Sequence, residues 1–68
     1  MPIECVLAKL FLYTCCDLEN YQKTKDSFTA GACFSQLQLI IDLDLLEEFK
    51  KFATKHDIKE GTIYEILD

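Results

Sequence analysis

The change of hydrophobic period between residues 36 and 56 is the feature that most constrains the fold. Before it, apolar side chains occupy every second position, at Leu37, Leu39, Ile41, Leu43 and Leu45. Such an alternation is typical of a β-strand with one buried face. After it, the apolar residues follow helical spacing, at Leu46, Phe49, Phe52 and Ala53. The sequence therefore predicts a strand that runs directly into a helix.

The start of this helix is predicted from Asp44 and Glu47. Asp is a favoured N-cap residue, and a Glu three positions later can bond back to the cap residue in a capping box. Acidic residues follow in the first turn and lysines lie toward the end, an order that suits the helix dipole. We expect a helix over residues 44–56.

Three strands complete the expected fold. Residues 4–16 are almost wholly apolar and predict a central strand covered on both faces, although periodicity alone leaves a buried helix open. Residues 32–43 predict a second strand, and the β-branched and aromatic residues of 62–67 predict a third. Residues 17–31 are polar and indicate a loop or hairpin tip. The predicted class is α+β, with a sheet of about three strands and one helix on one face, in a single domain of residues 1–68.

The apolar content is high for a chain of 68 residues, since half of them are hydrophobic. Below ~70–80 residues a single core rarely gives much stability without a disulfide, a metal or a partner chain. Exposed apolar patches commonly mark interfaces. We therefore expect a homodimer or a protein partner, with an interface at Leu37, Leu39, Ile41, Phe49 and Phe52.

The charge pattern argues against nucleic acid and membrane partners. The net charge is −5 and the sequence has no Arg, whereas nucleic-acid affinity rests on cations that neutralise phosphates. The apolar run near the start is too short to span a bilayer, and it follows Glu4 instead of a basic segment typical of a signal peptide. We expect a cytoplasmic protein.

The sequence offers no constellation of residues that indicates catalysis. The acidic residues Asp42, Asp44, Glu47 and Glu48 are explained as a strand face, a helix cap and a first turn. His56 is the single histidine, and no glycine-rich phosphate loop exists. We therefore expect a small acidic protein of non-enzymatic, interaction or regulatory type, with no cofactor and no evident small-molecule ligand.

Residues 52–66 support one alternative function. Ala53, Ile58, Ile63 and Ile66 have a spacing that resembles the helix-turn-helix pattern of nucleic-acid-binding regulators. However, Asp57 stands where the turn glycine is usual, and Gly61 would lie inside the second helix. That helix would also carry a net negative charge, which the DNA groove would repel.

The four cysteines support a second alternative, a thiol or metal protein. Cys5, Cys15, Cys16 and Cys33 are the candidate residues. A zinc site usually shows two cysteines separated by two to four residues, and that spacing is missing here. Adjacent residues of a strand also point to opposite faces, so Cys15 and Cys16 would not share a metal ion. Reduced thiols that pack as small hydrophobic side chains are the simpler interpretation.

Overall fold

The computed structural model describes residues 3–68, and this part of the chain is folded into helices. The helices are α1 (Ile3–Thr24), α2 (Ser27–Asp42), α3 (Leu46–Lys55) and α4 (Glu60–Leu67). No strand is present in residues 3–68, so the predicted α+β class is wrong. The segments predicted as strands, 4–16, 32–43 and 62–67, lie in α1, in α2 and its C-terminal turn, and in α4. The helix expected at 44–56 corresponds to α3.

The polar segment 17–31 is not a loop or a hairpin tip. Its first eight residues complete α1, its last five begin α2, and only Lys25 and Asp26 connect the two helices. Polar residues occupy this region because it forms the solvated ends of two helices.

Helix α2 explains why the alternation at residues 37–45 misled the prediction. The buried side chains of α2 are Thr29, Cys33, Leu37 and Ile40, a set with helical spacing. Leu39 lies on the other side of the same helix and is exposed. Residues two positions apart lie on opposite sides of a helix. A helix that is apolar on two sides can therefore have apolar residues at alternate positions, the pattern that is typical of a strand.

The helix ends are also set by residues other than those predicted. Asp26 caps α2, since its Oδ1 accepts from the backbone N–H of Phe28 and its Oδ2 accepts from Thr29 Oγ1. Asp44 does not cap α3. It adopts a left-handed φ of 60°, and Asp44 N and Leu45 N donate to Ile41 O and Ile40 O. These two bonds form a Schellman motif that ends α2, so the predicted capping box is wrong.

The core forms where the four helices meet, around Phe49. It comprises buried residues from all four helices together with the turn residue Ile58, namely Cys15, Leu18, Cys33, Leu37, Ile40, Phe49, Ala53, Ile58 and Ile63. The ring of Phe11 on α1 packs edge-on against Phe49, with ring centroids 5.2 Å apart. Aromatic packing thus joins α1 to α3.

The two long helices form an antiparallel hairpin. Near the connection, Asn20 donates to Thr29. One turn earlier on α1, Asp17 Oδ2 accepts from Gln36 Nε2 at 2.7 Å. At the far end Val6 of α1 and Leu43 line the same groove. The hairpin therefore changes from polar contacts near the connection to apolar contacts at the end where α1 begins.

Polar side chains of α1 hold the last helix, α4, in place. Gln22 Oε1 accepts from the backbone N–H of Lys59 and from Thr62 Oγ1, both at 2.9 Å. Glu65 accepts from Tyr21 Oη and pairs with Lys25. The end of α1 and the following Lys25 therefore bind α4 both at its start and at Glu65. The N-cap residue of α4, Lys59, provides no side-chain cap.

None of the helices in residues 3–68 combines the length and the apolar character that crossing a membrane requires.

Candidate interaction surface

The first half of α1 borders an open apolar groove, which we call the α1–α2 groove. It has a volume of about 450 Å³, and Lys9 is its one charged lining residue. Its apolar lining comes from four residues of α1 and from the end of α2, namely Val6, Leu7, Leu10, Tyr13, Leu39 and Leu43. The floor and both walls are therefore hydrophobic.

A second groove, the α1–α3 groove, lies on the other side of Leu7. Its volume is about 320 Å³, and its apolar lining is Leu7, Ala8, Phe11, Leu45 and Phe52. Two acidic residues, Glu4 and Glu48, complete the lining. Leu7 belongs to both grooves, so the apolar surface continues from one to the other around the first half of α1.

This surface exists because the first half of α1 is apolar on almost every side. From residue 5 to residue 16 the only charged side chain is Lys9. The other helices bury one side, so Val6, Leu12 and Tyr13 stay 48%, 46% and 63% exposed. A helix that is hydrophobic all round is normally covered all round. The uncovered side is therefore the candidate surface for contact with another molecule.

The five residues predicted as an interface lie in different parts of the structure. Leu37 and Phe49 are fully buried in the core of the chain itself. Leu39 lies in the α1–α2 groove and Phe52 in the α1–α3 groove. Ile41 lies at the edge of an acidic hollow with Asp44 and Glu47. The predicted set therefore contains two core residues and three residues near the surface.

Val6, Leu12 and Tyr13 were missed as candidate surface residues. The sequence of this segment predicts a strand covered on both faces, and such a strand has no exposed side. The sequence feature that could have identified them is the lack of a polar face in residues 5–16. If such a segment is a helix and its neighbours cover only one side, the other side is an exposed apolar face.

The four cysteines do not come together. Cys5 and Cys16 are exposed, whereas Cys15 and Cys33 are buried. Burial, with a smaller contribution from neighbouring Cys16, raises the pKa of Cys15 to about 11. Burial and the nearby Asp17 raise the pKa of Cys33 to about 11 as well. The two buried thiols are thus protonated and unreactive at neutral pH.

The acidic residues near Asp44 form no metal site. Among residues 3–68, no group of three His, Cys, Asp or Glu side chains could hold a metal ion. His56 is exposed and lies at the C-terminal end of α3, with its ring 4.5 Å from that of Phe52. His56 therefore packs against Phe52 at the surface.

Helices α3 and α4 are joined by the short turn of residues 56–59, as the helix-turn-helix alternative expects. Asp57 adopts a left-handed φ of 62°, the conformation in which glycine is usual, and Gly61 lies inside α4. Helix α4 carries Glu60 and Glu65 and no basic residue. Its charge therefore opposes the approach of a phosphate backbone.

Lys50 on α3 is engaged within the chain. It donates to Tyr64 Oη and to Glu47, and these hydrogen bonds raise its pKa, with that to Tyr64 contributing most. It also pairs with Glu60 at 3.7 Å. Lys50 thus joins α3 to α4 and is not a free cation for an external anion.

Residues 3–68 thus fold into four helices, and the longest of them, α1, carries an uncovered apolar surface. Comparison with protein-family models, with curated proteins and with solved structures found no match to this chain.

Proposed function

We propose that this chain is a small cytoplasmic interaction module without catalytic activity, which binds a protein partner through the α1–α2 groove. The observation that supports it most is the continuous apolar lining of that groove, with Leu39 and Leu43 each about half exposed. Surfaces of this kind are used by proteins that bind the apolar side of a partner helix.

The chemistry of the groove supports binding rather than catalysis. Its lining holds two titratable side chains, Lys9 and Tyr13, and no carboxylate, imidazole or thiol. A catalytic site needs a base or nucleophile within hydrogen-bond reach of a substrate. The groove instead presents aliphatic side chains with one aromatic and one cation at its edge, a composition typical of a protein interface.

Site-specific photo-crosslinking in the intact chain tests this proposal. A benzophenone amino acid replaces Leu43 inside the groove, and in a matched control it replaces Phe28. Phe28 lies near the start of α2, which Leu43 caps at its other end, and it is 84% exposed and does not line the groove. We expect a discrete protein adduct at Leu43, several-fold more abundant than at Phe28, in protein expressed in its own cytoplasm.

A second substitution decides whether the adduct depends on the groove. Val6→Ser makes the opposite wall polar without touching the core, since Val6 is about half exposed. We expect it to reduce the Leu43 adduct several-fold and to leave the melting temperature nearly unchanged. Equal adduct yields at Leu43 and Phe28, or a Leu43 yield insensitive to Val6→Ser, would reject the proposal.

A further inference from the structure

We propose that a second copy of this chain packs in parallel against the outer face of α1, which consists of Cys5, Ala8 and Leu12. All three residues are exposed. Their positions, separated by three and then four residues, are those of the a, d and next a positions of a heptad. Cys5 and Leu12 line neither groove, so this contact goes beyond the proposed partner site in the α1–α2 groove.

Two charged residues flank the outer face and determine which arrangement fits it. Glu4 and Lys9 are the only charged residues of α1 before Asp17. When Cys5 is an a position, Glu4 is a g position and Lys9 is an e position, on opposite flanks of the face. In residues 3–68 neither side chain has an ion-pair partner.

In a parallel pair of helices, a g residue faces the e residue five positions further along in the other chain. Glu4 of each copy would therefore meet Lys9 of the other, and the two-fold symmetry makes this pair twice. In an antiparallel pair each flank faces the same flank of the second copy. Glu4 therefore does not meet Lys9 in any antiparallel register, so the charges favour the parallel arrangement.

The side chains of the outer face suit close contact over a short length. Cys5 and Ala8 are small and let the two helices approach, while Leu12 supplies apolar area at the seam. The next d position is Cys15, which is buried in the core, so the seam ends there. The contact is about 12 Å long. It is smaller than a standard interface, and we expect a weak dimer with a dissociation constant on the order of 0.1 mM.

Charge exchange measured by sedimentation equilibrium tests the arrangement. Glu4→Lys or Lys9→Glu alone replaces two attractive pairs with two repulsive ones, and each should weaken the dimer about tenfold. The double variant E4K/K9E should regain the wild-type constant. An equimolar mixture of E4K and K9E should form mixed dimers, because every cross-pair is then attractive.

Glu19→Lys is the matched control, because it makes the same charge change on α1 as Glu4→Lys but lies beyond the seam. It should change the dimer constant less than twofold. A monomer at millimolar concentration overturns the inference, as does a dimer that responds equally to E4K and E19K. Neither result bears on the Leu43 adduct, so the proposed partner site is judged separately.

Disulfide trapping gives an independent reading of the orientation. In Cys16→Ser, Cys5 is the one exposed thiol, and diamide oxidises two thiols to a disulfide by accepting their two protons and two electrons. A parallel dimer gives a covalent Cys5–Cys5 dimer in this variant and little in Cys5→Ser. An antiparallel dimer instead gives a Cys5–Cys16 bond in wild type and in neither variant, which overturns the proposed geometry.

Discussion

The two halves of α1 are joined to the rest of the molecule by different kinds of contact. In the first half, the contacts are apolar, with Phe11 against Phe49 and Phe52. In the second half, Leu18 is fully buried, and Tyr21 and Gln22, together with Lys25 just after the helix, bond to α4 and to the turn before it. The second half of α1 is therefore held against the rest of the molecule by hydrogen bonds as well as by burial of apolar side chains.

The second half of α1 therefore contributes to the stability of the fold, whereas the first half provides exposed apolar surface. Hydrogen bonds and ion pairs fix the relative position of α1 and α4, and they leave little apolar surface for another molecule. The first half of α1 lies at the other end of the helical hairpin, where only one side is covered. Its exposed apolar side chains add little to the stability of a monomer, and they are the side chains that we propose bind a partner.

Truncation of a leucine in each half should show the largest contrast. Leu18→Ala empties a fully buried site and should lower the free energy of unfolding by about 2–5 kcal/mol, enough to unfold much of a domain this small. Leu12→Ala, at 46% exposure, should change it by no more than about 0.5 kcal/mol. Urea unfolding at low protein concentration measures both, and equal losses would contradict the comparison.

Removal of the Gln22 acceptor should have an intermediate effect. Gln22→Ala leaves the Thr62 hydroxyl, which is buried, and the Lys59 N–H without their acceptor, and should lower stability by about 1–2 kcal/mol. Gln22→Glu retains an acceptor and should recover most of this loss. Both are measured by thermal unfolding.

Gln38→Ala is a control for the amide side chain, since Gln38 donates and accepts no side-chain hydrogen bond within residues 3–68. If Gln22→Ala proved as harmless as Gln38→Ala, the interhelix bonds would not hold α4 in place.

The smallest effect is expected from the Glu65 carboxylate and should depend on pH. Hydrogen bonds from Lys25 and then Tyr21 lower the pKa of Glu65 below its usual 4.5. Because the folded pKa lies below the unfolded one, the group stabilises the fold above the unfolded pKa, and this contribution is lost as pH falls through the folded pKa. The gap in melting temperature between wild type and Glu65→Gln should therefore close in acid.

Lys25→Met provides the partner variant for this measurement. It should show the same closing gap, and the double variant should add little to either single change. A gap that stays constant across the acid range would show that the Glu65 carboxylate contributes through something other than its charge.

Some features of this chain follow from the sequence alone. The spacing of Phe49, Phe52 and Ala53 predicts a helix, and the structure has α3 there with Phe49 and Ala53 buried. This apolar stripe identifies a helix because the opposite face is charged, so the pattern fits the helical period and not the strand period. The excess of apolar residues for 68 positions is likewise visible from composition, and Val6, Tyr13 and Leu39 do lie exposed.

The tertiary structure decided the identity of α1 and α2. Residues 5–16 and 37–43 have apolar side chains on more than one side, so strand and helix periods both fit them. Their helical state depends on which side meets Phe49 and Ile63, and that choice comes from packing between distant segments. For the same reason Leu37 is buried while Leu39, two residues away, is exposed: a sequence can show that surface is apolar, but only the folded chain determines which part is covered.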